Sequence, residues 1–412
     1  MSSSYDVIVI GGGASGLMAA GRAAERGRRV VLLEKNSTLG KKLAISGGGR
    51  CNICHAEDDI HRLLGHYGPA NKFLYSSFSQ FGLAETFSFF SNRGLPLQVE
   101  TRNRVFPVSQ KATDVVTTLE RFLASGNVEV RTRATVQGFV REGERITGVM
   151  IDGAVMTAAS YILATGGASH PETGSTGDGF TWLKDIGCQV KDPTPAVVPI
   201  AVADEWVHRL SGLAIDQAKL VFLVDGQKSL KLAGRVLCTH FGLSGPLILN
   251  SSAKIAELLQ EGEVTIQMDV FPSLDLGMLD KRVTAIFDDN KNRDVKNVLK
   301  VVAPTGMSAA VLLLLPSIDP DKKVHSISKL ERKMIVNLLK ALPMTVTGLM
   351  GMDRAVIVDG GLSLDEIDGK TFRSRKYDNL FVTGDVLHIN RPSGGFSLQL
   401  CWTSGWVAGS NA

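Results

Sequence analysis

The chain has 412 residues, of which 44% are apolar and 21% are charged, a composition typical of soluble globular proteins with more than one domain. Its net charge of +4 is small, and the basic residues are scattered among 41 acidic ones, which disfavours nucleic acid as the main partner. No secretory signal is recognisable, and the longest strongly apolar run, at 307–315, is too short to span a bilayer. The five cysteines are thinly spread, as in a reducing compartment. We therefore expect a cytoplasmic protein without membrane contact.

The N-terminal segment carries a dinucleotide-binding pattern. Residues 5–16, YDVIVIGGGASG, predict a buried strand that ends in Gly11-x-Gly13-x-x-Gly16, and the following residues predict a helix. Gly11 allows the tight turn, Gly13 lets backbone N–H groups approach a pyrophosphate, and Gly16 lets the helix pack closely on the strand. Glu34 ends the next strand, where a carboxylate accepts hydrogen bonds from a ribose and disfavours a 2′-phosphate. The pattern predicts bound FAD or NAD.

Two distant strands favour FAD over NAD. Residues 160–167, SYILATGG, and residues 379–385, NLFVTGD, each predict a strand that runs into glycine. The second of these segments ends in an acid, Asp385. A long cofactor such as FAD accounts for this acid, because Asp385 could accept hydrogen bonds from a ribityl chain. After a glycine pair, a helix is predicted to start near Phe396, with its N-terminus toward the pyrimidine side of a flavin.

Six separate motifs are spread over nearly the whole chain. They are VIGGGASGLMAA (9–20), GKKLAISGGGRCN (40–52), ILATGGASHPETGSTGDG (162–179), CTHFGLSGPLIL (238–249), ALPMTVTG (341–348) and GDVLHINRPSGGFSLQLCWTSGWVAG (384–409). In this order they resemble the YhiN/BaiN-like family of FAD-dependent oxidoreductases, sometimes described as NAD(P)H-using flavoproteins. The resemblance implies an α/β fold, in which a Rossmann-like FAD-binding domain of the glutathione-reductase type carries an inserted small β-barrel and a helical lobe.

The expected FAD contacts fall in the glycine motif, the second strand, the GGGRCN segment and the later strand ends. The sequence patterns indicate Gly11, Gly13, Ala14, Ser15, Gly16, Glu34, Lys35, Gly47, Gly48, Ala164, Thr165, Gly166, Gly384, Asp385, Gly394, Gly395 and Phe396. The resemblance adds Lys41, Lys42, Ser46 and Asn52 in the FAD groove, with Thr135 and Val136 as backbone contacts near the adenine.

The segment SGGGRCNIC, residues 46–54, allows two interpretations. Its three consecutive glycines would let the backbone pass close to a flavin, whereas Cys51 and Cys54 could form a redox-active dithiol. The family pattern has Leu-Thr-Asn after GGGRCN, so Cys51 matches it and Cys54 departs from it. Flavin disulfide reductases normally separate their two cysteines by four residues. We therefore favour the backbone cradle, and no metal site is expected because only His55 lies nearby.

The residue composition changes in the middle of the chain. Three prolines lie within the seven residues that begin at Pro193, and they mark a crossing into another domain. Residues 1–192 and 354–412 are expected to form the FAD domain, and residues 193–353 the insertion. Within the insertion we expect a barrel from 193–271 and 341–353 and a helical piece from 272–340.

Several residues are candidates for catalysis. Cys51 is a flavin-adjacent thiol, while His170, His388 and Arg391 could each act as a proton donor or anion clamp. No second nucleotide-binding glycine motif follows, so either NAD(P)H docks transiently or the reductant is another compound. Three functions stay open: a reductase or dehydrogenase of a small organic compound, which the resemblance suggests is enone-like or an amine; a thiol–disulfide oxidoreductase using Cys51 and Cys54; and a non-catalytic flavoprotein that binds a partner.

Overall fold

The protein, described over residues 5–412 by a computed structural model, alternates strands and helices along the chain. The strands are β1 (Tyr5–Ile10), β2 (Val30–Glu34), β3 (Cys54–His55), β4 (Leu97–Glu100), β5 (Arg104–Pro107), β6 (Glu129–Thr132), β7 (Val136–Glu142), β8 (Arg145–Ile151), β9 (Ala154–Met156), β10 (Ala158–Leu163), β11 (Val190–Ala196), β12 (Ile200–Val202), β13 (Ala214–Val224), β14 (Gln227–Thr239), β15 (Gly242–Ser244), β16 (Val264–Asp269), β17 (Leu342–Leu349), β18 (Ile357–Leu362) and β19 (Leu380–Val382). The α-helices are α1 (Ala14–Glu25), α2 (Lys41–Gly49), α3 (Ile60–Gly65), α4 (Asn71–Gln80), α5 (Leu83–Ser91), α6 (Ala112–Ser125), α7 (Asp178–Asp185), α8 (Glu205–Arg209), α9 (Pro246–Glu261), α10 (Leu276–Asp289), α11 (Val295–Val302), α12 (Ser308–Leu314), α13 (Lys329–Lys340) and α14 (Phe396–Asn411).

The chain divides into two compact units. The first runs through Ala196 and resumes from Met352 to Ala412, and the second comprises Val197–Gly351. The first unit is therefore discontinuous in sequence, because its last segment supplies β18, β19 and α14.

A parallel sheet forms the centre of the first unit. Its strand order is β19-β10-β1-β2-β6, and β1 is almost wholly buried. Continuous apolar runs such as VIVI and VVLL suit strands that are covered on both faces. Because all five strands are parallel, the ends of β1, β2, β10 and β19 that precede the glycine turns and acids meet at one edge. That edge is where ligands bind in open α/β sheets.

The C-terminal helix α14 packs closely on α1. A Cβ at Gly405 would lie 2.4 Å from the carbonyl oxygen of Ser15, and one at Gly409 would lie 2.3 Å from that of Ala19. Glycine at both positions lets the two backbones touch. Most of α14 is buried, as expected for a helix that is apolar on all sides. The end of the chain is therefore part of the core that carries the glycine motif.

The second unit contains a closed barrel and helices. The barrel order is β12-β15-β14-β13-β16-β17. Alternate residues of β13, namely Ala218, Leu220 and Phe222, are buried, which is the period of two expected for a strand with one inward face. The helices α10 to α13 follow the barrel strand β16. The α/β fold with a Rossmann-type domain and a small barrel is thus confirmed.

Two local features do not follow from the sequence patterns. The strands β6 to β9 belong to two sheets, since β6 joins the central sheet beside β2 and β7, β8 and β9 form a separate sheet. Alternation of apolar and polar residues alone does not distinguish the two sheets. The segment after HFGLSGP forms the helix α9, which the sequence interpretation lacked. None of the helices described within residues 5–412 is long and apolar enough to cross a membrane.

Candidate functional site

The glycine turn after β1 leaves the N-terminus of α1 uncapped. Gly11 has a φ of +106°, and a Cβ there would lie 2.5 Å from the carbonyl oxygen of Ala164. A Cβ at Gly16 would lie 1.9 Å from the carbonyl oxygen of Gly11. By contrast, no heavy atom lies within 4 Å of the Cβ position of Gly13, and the first turn of α1 has neither an acidic residue nor a capping side chain. This arrangement suits an anion at the positive end of the helix.

Glu34 is held in place at the end of β2. The carboxylate is buried, and its Oε2 accepts from the N–H of Gly12 at 2.7 Å. Its Oε1 accepts from the N–H of Asn36 at 2.7 Å. The N–H groups of Arg133 and Ala134 donate to the carbonyl oxygens of Asn36 and Glu34, at 2.9 Å each. Hydrogen bonds therefore connect Glu34 to both the glycine turn and the segment before β7.

Side chains from the end of β2 and the start of α2 hold the glycine-rich loop that follows β10. Their hydrogen bonds join Lys35 to Thr176 and Asp178, Asn36 to Thr173, Lys41 to Glu172, and Lys42 to Ser169. Three lysines that the sequence placed at the cofactor are thus bonded to this loop, which couples two segments of the same edge.

A partly buried group of charges lies after β19. Arg391 is 5% exposed and donates to Asp385, to the carbonyl oxygen of Ile389 and to Ser397 Oγ. Burial lowers the pKa of Lys42, while the negative charge of Asp385 opposes that shift. Arg391 therefore uses donors on all three guanidinium nitrogens within the protein.

The GGGRCN segment presents a strip of bare backbone. Gly47, Gly48 and Gly49 have φ values of +58°, +68° and +83°. No heavy atom lies within 4 Å of the Cβ positions of Gly48 and Gly49. Cys51 also has a left-handed φ of +61°, and its N–H donates to the carbonyl oxygen of Ser46 at 2.9 Å. We define residues 47–49 as the glycine strip.

The thiols of Cys51 and Cys54 are fully buried and free. Burial raises the pKa of Cys51 to about 12. Burial, with a smaller effect of Cys51, also raises the pKa of Cys54. Thiols in such surroundings stay protonated at neutral pH and are poor nucleophiles.

The N-terminus of α14 adjoins the GGGRCN segment. Gly395 is its N-cap residue with a φ of +102°, and a Cβ there would lie 2.4 Å from the carbonyl carbon of Cys54. The ring of Phe396 stacks on His55 at 4.6 Å between centroids, and burial lowers the pKa of His55. His55 Nδ1 is buried without a hydrogen-bond partner among residues 5–412. The sequence interpretation considered His55 only as a metal ligand.

Two histidines each meet a carboxylate. His388 Nε2 lies 2.9 Å from Asp359 Oδ1, and His170 Nδ1 lies 2.9 Å from Glu172 Oε1. Partial burial alone would raise the pKa of Asp359, but hydrogen bonds from Lys191, Asn390 and His388 lower it below its ordinary value. Asp359 is therefore ionised at neutral pH. No motif marked this residue, since its partners lie far from it in the chain.

The residues present fit a dinucleotide cofactor. The N-terminal turns of α1 and α14 contain no acidic residue, and open space lies at the Cβ positions of Gly13, Gly48 and Gly49. Thr165 Oγ1, in the loop after β10, is buried without a hydrogen-bond partner in the described part of the chain. Exposed peptide groups and positive helix ends suit phosphates and a reduced flavin.

The fold and this site define a dinucleotide-binding flavoprotein, an FAD-dependent oxidoreductase. The family model described as HI0933-like protein Rossmann domain matches residues 5–411, and the chain belongs to that family. The family resemblance seen in the motifs is thereby confirmed.

Several curated relatives match nearly the full chain. The chain is 28% identical to the 3-dehydro-bile acid delta(4,6)-reductase of Clostridium scindens, over 98% of each chain. It is 26% identical to the ribosomal RNA dihydrouridine synthase of Escherichia coli, over 98% of this chain and 96% of that protein.

Solved structures share the fold at low sequence identity. A 3-ketosteroid delta1-dehydrogenase from Sterolibacterium denitrificans has a TM-score of 0.56 at 15% identity, covering 99% of both chains. A flavocytochrome c3 fumarate reductase in an open conformation has a TM-score of 0.56 at 17% identity, covering 100% of this chain and 78% of that one.

Proposed function

We propose that the protein reduces a carbon–carbon double bond conjugated to a carbonyl group in a small organic molecule, with FAD as cofactor and NAD(P)H as transient reductant. The observation that carries the proposal is found in the first unit, where the N-terminus of α1 beside Gly13 has no capping side chain, Gly48 and Gly49 leave backbone uncovered, and the N-terminus of α14 has no capping side chain either. FAD supplies hydride transfer at such a site. The protein's own residues bind the cofactor, orient the substrate and donate a proton to it.

The proposed position of FAD runs along the edge from β2 to α14. Glu34 accepts hydrogen bonds from the adenosine ribose, and the N-terminus of α1 beside Gly13 receives the pyrophosphate. The N–H of Ala134 donates to the carbonyl oxygen of Glu34, which supports an adenine position beside this segment. The glycine strip and the N-terminus of α14 would then receive the flavin, where a positive helix end stabilises negative charge on reduction.

The names of two of the full-length relatives support alkene reduction. One is named for reducing delta(4,6) bonds in a 3-dehydro bile acid, and the other for forming dihydrouridine. In both products two hydrogens have been added across a carbon–carbon double bond that is conjugated to a carbonyl. Conjugation lets a hydride add to the β-carbon, because the carbonyl oxygen takes up the negative charge.

A small molecule is the better substrate class than RNA for this chain. The net charge is only +4 over 412 residues, and proteins that bind RNA usually concentrate positive charge on one face. Uridine in ribosomal RNA is the second candidate, which the near-equal identity of the second relative favours.

The two other functions predict different behaviour. Buried Cys51 and Cys54 with raised pKa values disfavour a thiol–disulfide oxidoreductase, which needs an accessible thiolate. A non-catalytic flavoprotein would bind FAD, but no acceptor would sustain its turnover with NADH or NADPH.

Steady-state assays under anaerobic conditions test the proposal. We expect the FAD-loaded protein to oxidise NADH or NADPH with 2-cyclohexen-1-one or a 3-oxo-4,6-diene bile acid, with a mass gain of two hydrogens in the product. Cyclohexanone is the matched control, because it keeps the carbonyl and lacks the double bond. Turnover only with a uridine-containing ribosomal RNA transcript would support the second candidate. If neither the enones nor the RNA sustains oxidation of NADH or NADPH, both candidates are wrong.

A further inference from the structure

We propose that His388 delivers the proton to the substrate and that Asp359 is its positioning residue; this inference rests on the proposed function. Reduction of a conjugated double bond requires a proton at the α-carbon as well as a hydride at the β-carbon. A positioned side chain is the usual source of that proton.

His388 lies between the two chain segments that border the proposed flavin position. It follows Asp385, after β19, and precedes the glycine pair before α14. Its N–H donates to the carbonyl oxygen of Leu362 at 2.9 Å, and its Nε2 lies 2.9 Å from Asp359 Oδ1. The contact with Asp359 is made by Nε2 and not by Nδ1. The backbone and one ring nitrogen are therefore fixed, and the other ring nitrogen is the one we assign to proton transfer.

Asp359 is itself held by two further donors. Asn390 Nδ2 donates to the same oxygen as His388 at 3.0 Å, and Lys191 Nζ donates to the other oxygen at 2.9 Å. The side chains of His388 and Asp359 are 32% and 28% exposed, so a substrate can reach the pair. An ionised acceptor at Nε2 keeps a proton on that nitrogen, so we assign the transferred proton to Nδ1.

The pair lies at the edge of the sheet that carries the cofactor site. A Cβ at Gly361 would be 2.6 Å from the carbonyl oxygen of Val386, and one at Gly167 would be 3.4 Å from that of Asp385. The strand β18, which contains Asp359 and Gly361, therefore packs against the segment that follows β19. The segment after β10 touches that same segment.

The other sequence candidates are less suited to this task. Arg391 uses all three of its nitrogens within the protein, and Cys51 is buried with a raised pKa. His170 meets Glu172 only two residues away, and the Glu172 side chain is 59% exposed. An exposed acid in the same loop orients an imidazole less firmly than Asp359, which is fixed from three directions.

Charge and atoms balance in the proposed proton transfer. NAD(P)H supplies the electron pair through the cofactor, and the hydride adds to the β-carbon, so that negative charge moves onto the carbonyl oxygen. The imidazolium of His388 then gives its Nδ1 proton to the α-carbon. A C–H bond forms, the N–H bond breaks, and neutral His388 keeps its Nε2 proton hydrogen-bonded to Asp359. Solvent restores the Nδ1 proton.

The tautomer of His388 in the FAD-free protein is the first test. We expect ¹⁵N NMR of histidine-labelled protein to show neutral His388 protonated at Nε2, with His388→Gln providing the assignment. Asp359→Ala should remove that preference, whereas Asp59→Ala, at an exposed helix cap in the same unit, should not. A wild-type ring protonated at Nδ1 would overturn the proposed roles.

Single-turnover kinetics provide the second test. His388→Gln should slow oxidation of the reduced cofactor by 2-cyclohexen-1-one by about 10²- to 10⁴-fold, with reduction by NADPH or dithionite unchanged. Imidazole in solution should partly restore the rate of His388→Ala. His61→Gln, at an exposed position of α3, is the matched control and should behave as wild type.

The outcomes distinguish a failure of this inference from a failure of the proposed function. If wild type reduces the enone and His388→Gln does so within twofold, His388 is not the proton donor and only this inference fails. The same conclusion follows if His170→Gln shows the loss instead. If the wild type itself does not reduce any conjugated alkene, the proposed function fails and the proton delivery fails with it.

Discussion

Glu34 uses both of its carboxylate oxygens, one to bind the glycine turn and the other to bind Asn36 two residues further along the chain. The N–H groups of Gly12 and Asn36 bind it at 2.7 Å each. The position of an acid at the end of β2 was predictable from its spacing to the glycine motif. The part played by Asn36 was not, although an Asn two residues after the acid is typical of a local turn.

Glu34→Ala should weaken FAD binding without unfolding the protein. A hydrogen bond to a charged group contributes about 1.5–3 kcal/mol, so we expect the Kd for FAD to rise by about ten- to a hundredfold. Fluorescence titration of the FAD-free protein measures this Kd. Glu142→Ala, on the exposed end of β7, is the control. Unchanged stoichiometric FAD in Glu34→Ala would show that the ribose does not lie at Glu34.

Cys51 and Cys54 illustrate a motif whose chemistry depends on its surroundings. Both thiols are buried, and the pKa of Cys51 is raised to about 12. A thiol with a raised pKa stays protonated as pH rises through neutrality, and it becomes a thiolate only well above pH 9. Spacing could not reveal this, because burial arises from residues distant in sequence.

Iodoacetamide should therefore leave Cys51 and Cys54 unmodified in the folded protein at pH 8. Mass spectrometry after digestion measures the extent of alkylation, with the urea-unfolded protein as the positive control. Cys54→Ser should retain FAD and its reduction. Rapid alkylation of Cys51 or Cys54 with loss of turnover would favour the thiol–disulfide function instead.

At the scale of elements, the turn between β1 and α1 separates two uses of glycine. Gly11 and Gly16 are needed for backbone packing, since a Cβ at either position would lie 2.5 Å or less from a carbonyl oxygen. Gly13 has no such neighbour. Packing within the described part of the chain therefore does not require glycine at this position, whereas close approach of a pyrophosphate would.

Gly13→Val should fold normally and lose FAD. No heavy atom lies within 4 Å of the Cβ position, and φ is −85°, so the side chain fits the protein but blocks the approach of a pyrophosphate. Gly65→Val is the matched control, because its Cβ position is also open. Circular dichroism checks folding and the bound flavin is counted by absorbance. Full FAD content in Gly13→Val would contradict the placement of the phosphates.

The central strands were more predictable than the connections between them. β1, β2, β10 and β19 followed from apolar runs that end in glycine or an acid. The bonds from Lys35, Lys41 and Lys42 to the loop after β10 were not predictable, because they join segments more than 100 residues apart. The helix α9 was missed because a short apolar run does not distinguish a helix from a strand.

At the scale of the whole molecule, the chain divides into two units. We therefore expect FAD to stabilise against unfolding only the unit that binds it. Every residue proposed to bind FAD belongs to the first unit, and the barrel and the helices that follow it belong to the second. The order of the motifs along the chain already implies this interruption of the first unit. The contacts between side chains within each unit could not be predicted from the order of the motifs alone.

FAD should raise the melting temperature of the first unit. A ligand at about 100 times its Kd stabilises the folded state by about 2.7 kcal/mol, which corresponds to about 5–10 °C for a domain of this size. Differential scanning calorimetry of the FAD-free protein with and without FAD measures the shift. FMN, which lacks the adenosine half, should give a smaller shift. Equal shifts with FMN and FAD would contradict the role of Glu34.

The anaerobic visible spectrum of the purified protein tests the central claim most directly. After FAD loading, NADH or NADPH is added until the flavin is reduced, and then 2-cyclohexen-1-one or cyclohexanone is added. We predict that the flavin colour returns with the enone, in an amount matching the saturated ketone formed, and does not return with cyclohexanone. A protein that binds no FAD, or whose reduced flavin is not reoxidised by any conjugated alkene, would contradict the proposed function.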